Sequence, residues 1–132
     1  MHFDAVFIAP NAKIKYPFSD LGLAPEVGSS FLLFQSLGYQ QAAQLLFESQ
    51  PIDGNRYHEL GLAKYVGEDF FDEANKYAHM LKEQSLSSII ETKAILKSFM
   101  QEDLAKSRSM ETAAMKKLFG SEDNIKAVEK FF

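Results

Sequence analysis

The chain has 132 residues, 46% of them apolar, with 18 acidic against 14 basic side chains and no cysteine. That length holds one globular core and is short for two ordinary domains. The absence of cysteine excludes disulfides, thiolate metal sites and thiol nucleophiles, and a net charge of −4 argues against a surface built to hold a phosphate backbone.

Residues 1–50 carry two basic side chains (Lys13, Lys15) and four acidic ones (Asp4, Asp20, Glu26, Glu48); the other charges all lie in 51–132. The front of the chain therefore reads as a segment to be covered on several sides, and the remainder as amphipathic helices.

In chain order, Phe3–Ala9 reads as a mostly buried strand, Pro10-Asn11 as a turn and Ala12–Tyr16 as a second, alternating strand. Residues 17–28, with two prolines and two glycines, form a loop. Ser29 and Ser30 are candidate N-caps for a helix apolar on nearly all sides (Phe31, Leu32, Leu33, Phe34, Leu37), which predicts burial all round. Gly38 breaks it, and a second helix runs over about 39–49. Pro51–Gly54 is a turn, a short helix follows to Leu60 with Gly61 as its stop, and 62–66 reads as a strand. Glu68 and Asp69 suit the first turn of an amphipathic helix with Phe70, Ala74, Tyr77, Ala78 and Leu81 on one stripe. Leu86–Phe119 lacks Gly and Pro and reads as two helices with a break near Ser107–Ser109. Gly120 and Ser121 then end one helix and cap the last.

The three histidines (His2, His58, His79) are too scattered for a metal site, so none is expected. A nucleophilic Ser29 or Ser30 lacks the G-x-S-x-G turn such a role needs. The informative stretch is Leu21–Ser30, where one carboxylate, Glu26, precedes the buried helix. Burial raises a carboxyl pKa and a helix N-terminus lowers it. Glu26 is therefore either a general base or simply an acid that caps the helix.

Several pieces in order resemble the crotonase (enoyl-CoA hydratase/isomerase) superfamily. They are Asp4–Ala9 with Ala12-Lys13-Ile14, Pro17 through Gly22, and Pro25-Glu26-Val27-Gly28 opening a helix. Ile52-Asp53-Gly54 with Glu59–Leu62, and Phe119–Asp123 with Ala127 and Phe131, complete the set. The resemblance implies an α/β fold that is predominantly helical in this chain. Residues 1–67 would be the C-terminal part of a crotonase-like β–α spiral with a few short strands, and 68–132 a helical oligomerisation region. Hydratases of the family carry an acid directly after the proline matching Pro17, and here that residue is Phe18. In Δ3,Δ2-enoyl-CoA isomerases the base follows the proline matching Pro25, and here that residue is Glu26.

The resemblance thus points to an isomerase that moves a double bond of an acyl-CoA in fatty-acid β-oxidation, with Glu26 shuttling one proton. Phe18, Leu21, Leu23, Val27 and Phe31 would form the acyl wall, although ordinary core packing explains each equally well. Lys93, Lys97 and Phe131 are weaker candidates for contacting CoA, and a solvated helix face also explains the two lysines. Coenzyme A arrives as the substrate thioester, so no cofactor is expected. The implied partners are the acyl-CoA and further copies of the chain, as a trimer or hexamer, with no nucleic acid and no membrane. A cytoplasmic setting is expected, since Lys130-Phe131-Phe132 is not a peroxisomal Ser-Lys-Leu signal.

The family's oxyanion donors lie before the position matching Phe3. The resemblance therefore implies a chain with the base and the oligomerising helices but without the electrophilic half, and little turnover on its own. The alternative reading is a non-catalytic acyl-CoA-binding or assembly module.

Overall fold

The computed structural model describes residues 2–130. Its elements are β1 (Phe7–Ile8), β2 (Lys13–Ile14), α1 (Ser29–Glu48), β3 (Ile52–Asp53), α2 (Gly54–Glu59), β4 (Tyr65–Val66), α3 (Phe70–Lys82), α4 (Leu86–Ser98), α5 (Gln101–Leu118) and α6 (Glu122–Glu129). Helices dominate, and the strands are short pairs: β1 with β4, and β2 with β3.

Two compact units emerge. One comprises Ile14–Ile52 and residues 103–130; the other comprises His2–Lys13 and Asp53–Glu102. Each draws on chain from both sides of the 67/68 boundary expected from the sequence.

In the second unit β1 and β4 run parallel, with Phe7 opposite Tyr65 and Ile8 opposite Val66. Only two residues of each predicted strand enter a ladder. Pro10 has no N–H to donate, and the N–H groups of Gly61 and Leu62 turn back to His58 O (2.8 Å) and Tyr57 O (3.1 Å), finishing α2 instead of extending β4. The Phe7 ring lies 5.6 Å from Tyr77 and 6.2 Å from Tyr65, contacts worth about 0.5–1.5 kcal/mol each. α2 starts where Asp53 accepts the Arg56 N–H at 2.8 Å, so part of the expected turn at 51–54 is a strand ending in a helix cap.

α3 begins two residues later than expected. Asp69 does not cap it through its side chain, because that carboxylate accepts the Tyr65 hydroxyl at 2.5 Å, and the acids of the first turn are Asp72 and Glu73. Ala74, Tyr77 and Leu81 form its half-buried face, while Phe70 and Ala78 are exposed. The helix break expected near Ser107–Ser109 lies instead at Phe99–Met100. There the Ser98 hydroxyl bonds Ile95 O at 2.7 Å and competes with the helical ladder. Ser107 sits inside α5, its hydroxyl turned to a tertiary partner.

In the first unit Gly38 (φ 74, ψ 171) kinks α1, as its position in the sequence predicts. Leu32, Leu33 and Ala42 are buried, and enclosing Leu33 completely is worth roughly 1.5–3 kcal/mol. The expectation of burial all round fails at Phe34, half of whose surface is exposed, because α1 buries one flank. Gly120 (φ 75) ends α5, and the Ser121 hydroxyl caps α6 by accepting the Asn124 N–H at 3.2 Å, both as predicted.

Candidate active site

The segment 16–30 belongs wholly to the first unit. It opens with a tight turn in which the Phe18 carbonyl accepts the N–H groups of Leu21 (3.2 Å) and Leu23 (2.8 Å). Gly22 follows at φ 62; a Cβ there would stand 3.0 Å from the backbone of Asn124, so a side chain would both be strained at that φ and press on α6.

Ala24 is buried and Pro25 half-buried, and then the chain turns sharply. Ser29 N–H donates to Glu26 O at 3.0 Å, and the two residues between, Val27 (φ 60) and Gly28 (φ 77), are both left-handed. Two positive φ angles are what a type I′ turn requires, normally of Asn or Gly. A β-branched valine there is strained by roughly 1–2 kcal/mol. The turn carries Glu26 outward: its side chain is exposed and bonds none of the described residues.

Three buried polar residues hold this segment, and none of them is local. Ser49, fully enclosed, donates its hydroxyl to Tyr16 O at 2.9 Å and meets the Ser19 hydroxyl at 2.6 Å. Asn124 donates from Nδ2 to Leu21 O at 2.7 Å and accepts the Gly120 N–H at 2.9 Å. Glu111, from α5, takes the start of α1. Its Oε2 accepts Gly28 N–H at 2.7 Å, and its Oε1 accepts Ser30 N–H at 3.0 Å and the Ser30 hydroxyl at 2.5 Å.

The capping expectations are therefore corrected. The N-cap residue is Gly28, without a side-chain cap, and the Ser29 hydroxyl is buried with no partner among the described residues. The acid on the helix N-terminus is Glu111, not Glu26. A carboxylate pays heavily for leaving water. The donors that meet it, at about 1.5–3 kcal/mol per charged hydrogen bond, offset that cost. Sequence reading missed Ser49, Asn124 and Glu111. Nothing near them in the chain marks them, since their partners lie 33, 103 and 83 residues away.

The residues proposed for the acyl wall fall in this same segment, except Phe31, which lies just beyond it in the first turn of α1. Phe18, Leu21, Leu23 and Phe31 are half-buried, and Val27 is 59% exposed. Lys93 and Lys97 lie exposed on α4 of the second unit, Lys93 paired with the Asp4 carboxylate, and Phe131 lies outside the described residues. Among the described residues no group of three or more His, Asp or Glu is placed to hold a metal ion. Nor is any helix long and apolar enough to cross a membrane.

The enoyl-CoA hydratase/isomerase family pattern matches residues 1–132. The chain belongs to that family, and its architecture is that of part of the crotonase fold. It is 27% identical over 130 residues to YhaR of Bacillus subtilis, covering 97% of this chain and 51% of YhaR. It is 26% identical over 133 residues to the short-chain-enoyl-CoA hydratase of Clostridium acetobutylicum, covering 99% of this chain and 51% of that enzyme. The structure of OdaA from Pseudomonas aeruginosa superposes with a TM-score of 0.91 at 32% identity, over 99% of this chain and 54% of OdaA. The chain thus spans about half the length of these relatives.

Proposed function

We propose that this chain supplies the proton-transferring half of an enoyl-CoA isomerase, with Glu26 as the base. The observation that carries this reading is the strained turn at 26–29. It displays a carboxylate without a partner among the described residues, directly ahead of α1 and within an apolar segment. The base takes a proton from C2 of a 3-enoyl thioester and returns it at C4; both carbons lie over one face of the ligand, so one carboxylate suffices. The dienolate formed between these steps places its charge on the thioester oxygen. It needs N–H donors at that oxygen, each worth about 3–4 kcal/mol, and these donors come from outside the segment described.

Hydration would require a second carboxyl group to act on the other carbon. The position after Pro17 is Phe18, Asp20 is paired with Lys15, and Glu111 is engaged by three donors. That favours isomerisation over hydration, and the half-buried Phe18, Leu21, Leu23 and Phe31 suit an apolar wall that keeps water from the dienolate. Homo-oligomer formation belongs to the same proposal and is supported by the exposure of Ile90, Ile95, Leu96 and Phe99 along α4 and at its end. A second reading, a non-catalytic acyl-CoA-binding or assembly module, draws on the exposure of Glu26, since a base is most effective where water is excluded.

The test combines calorimetric titration of the chain with a non-hydrolysable acyl-CoA and an assay of 3-enoyl-CoA isomerisation after the chain is complemented with the part of YhaR that it does not match, which would supply the N–H donors. Binding, with turnover reduced about 10³-fold in Glu26→Gln, supports the isomerase. Binding without turnover, unaltered by Glu26→Gln, supports the second reading, and no binding at all defeats both.

A further inference from the structure

We infer that Glu111 is a positioning residue for catalysis: from α5 it locks the turn that displays Glu26, and so fixes where the reacting carboxylate stands. The inference rests on Glu26 being the base.

A left-handed valine relaxes unless its surroundings over-determine it. At this turn the surroundings are α5. Glu111 holds the N–H on each side of Ser29, that of Gly28 with one oxygen and that of Ser30 with the other. The same helix closes on Gly28, where an added Cβ would fall 2.3 Å from Leu104 Cδ1 and 3.6 Å from Arg108 Nε. The carboxylate thus grips the exit of the turn, while the Glu26 carbonyl closes its entrance through Ser29 N–H.

Ordinary helix capping does not account for this arrangement. A hydroxyl at the N-cap serves that purpose locally, and Ser29 and Ser30 stand at the helix start without capping it. Instead a buried charge is delivered from 83 residues away. Glu111 is itself no candidate for the proton transfer. It is 6% exposed, and both of its oxygens already accept hydrogen bonds. Its influence on the reaction runs through the turn.

The test uses the 132-residue chain, read by amide exchange in NMR, and the same chain complemented with the unmatched part of YhaR, read by steady-state isomerisation of a 3-enoyl-CoA. A glutamine at 111 offers one acceptor where two N–H groups need one each. Glu111→Gln is expected to speed exchange at Gly28 or Ser30 while the rest of α1 keeps its protection, and to lower kcat about 10²-fold with KM within about twofold. Ser107→Ala removes only an outer hydroxyl contact and is expected to leave both readouts at wild-type values. If Glu111→Gln does not fold, Glu111→Asp takes its place; it keeps the charge, withdraws the oxygens by one methylene and is expected to show the same pattern. Unchanged protection at both amides overturns the inference, and so does lost protection with kcat unchanged. Glu26→Gln separates the two readings: it should abolish turnover and leave the amides of Gly28 and Ser30 protected. Turnover that survives Glu26→Gln defeats the base assignment, and the positioning role with it, even where Glu111 is found to hold the turn.

Discussion

The two units hold their non-helical segments by different means. In the second unit the chain before and after β1 is tied by backbone: Lys64 N–H to Val6 O at 2.8 Å, Gly67 N–H to Ile8 O at 3.1 Å, Gly54 N–H to Pro10 O at 3.0 Å. In the first unit the segment 16–30 is tied by the buried side chains of Ser49, Glu111 and Asn124. A backbone tie needs only that two stretches lie side by side, and it tolerates many residues. A side-chain tie depends on one residue type at one position, so the segment that presents Glu26 rests on three single-residue commitments.

That contrast breaks most sharply at Glu111. Replacing it with leucine leaves the N–H groups of Gly28 and Ser30 and the Ser30 hydroxyl without their acceptor. The expected loss is about 3 kcal/mol or more by urea denaturation; a loss below about 1 kcal/mol would mean that water replaces the carboxylate and that the tie is dispensable.

The backbone-tied region has its own weak point. A Cβ at Gly54 would lie 2.0 Å from Ala9 O, an atom that cannot rotate away. Gly54→Ala should therefore cost about 2–3 kcal/mol in the same measurement. A neutral outcome would show that the backbone ties yield more easily than the side-chain ties.

A smaller effect of opposite sign is expected at Val27. Asparagine tolerates the left-handed region far better, so Val27→Asn should raise the unfolding midpoint by an amount equivalent to about 1 kcal/mol. Destabilisation instead would show that the valine side chain is needed for packing.

The smallest effect lies on the surface of the second unit. The hydrogen bond from Tyr65 to the Asp69 carboxylate pushes the phenol up to about 12 and, reciprocally, holds Asp69 below its ordinary value. The contribution from Tyr65 is complete below the ordinary phenol pKa and is lost as pH rises through about 12. That from Asp69 is complete above its ordinary value and is lost as pH falls through the lowered one. NMR titration of the Tyr65 ring should show the midpoint falling toward 10 in Asp69→Ala, and an unmoved midpoint would remove this pair from the account.

The features legible in the sequence were those whose cause is local. Gly38 kinks α1, Gly61 ends α2, and Ser121 caps α6, because each acts on backbone within a few residues. The misplaced break between α4 and α5 shows the limit of that reading. Ser98, Ser107 and Ser109 are alike in sequence, yet only Ser98 turns its hydroxyl onto its own helix at a break; the Ser107 hydroxyl reaches Ser30 across the first unit. The same limit applied at the site. Glu26 stood out as the lone acid of an apolar stretch, whereas the acid that takes the helix N-terminus is Glu111, which looks in sequence like any polar residue of an exposed helix.

By itself, then, the sequence determined the predominance of helix, the ends of α2 and α5, the start of α6, the family and the acid most worth testing, because composition, capping chemistry and motif order act over short spans. Only the tertiary structure decided which carboxylate is displayed and which is buried. Burying a charge is favourable only where donors converge on it, and here the donors at Gly28 and Ser30 meet Glu111 only because α5 folds against the start of α1.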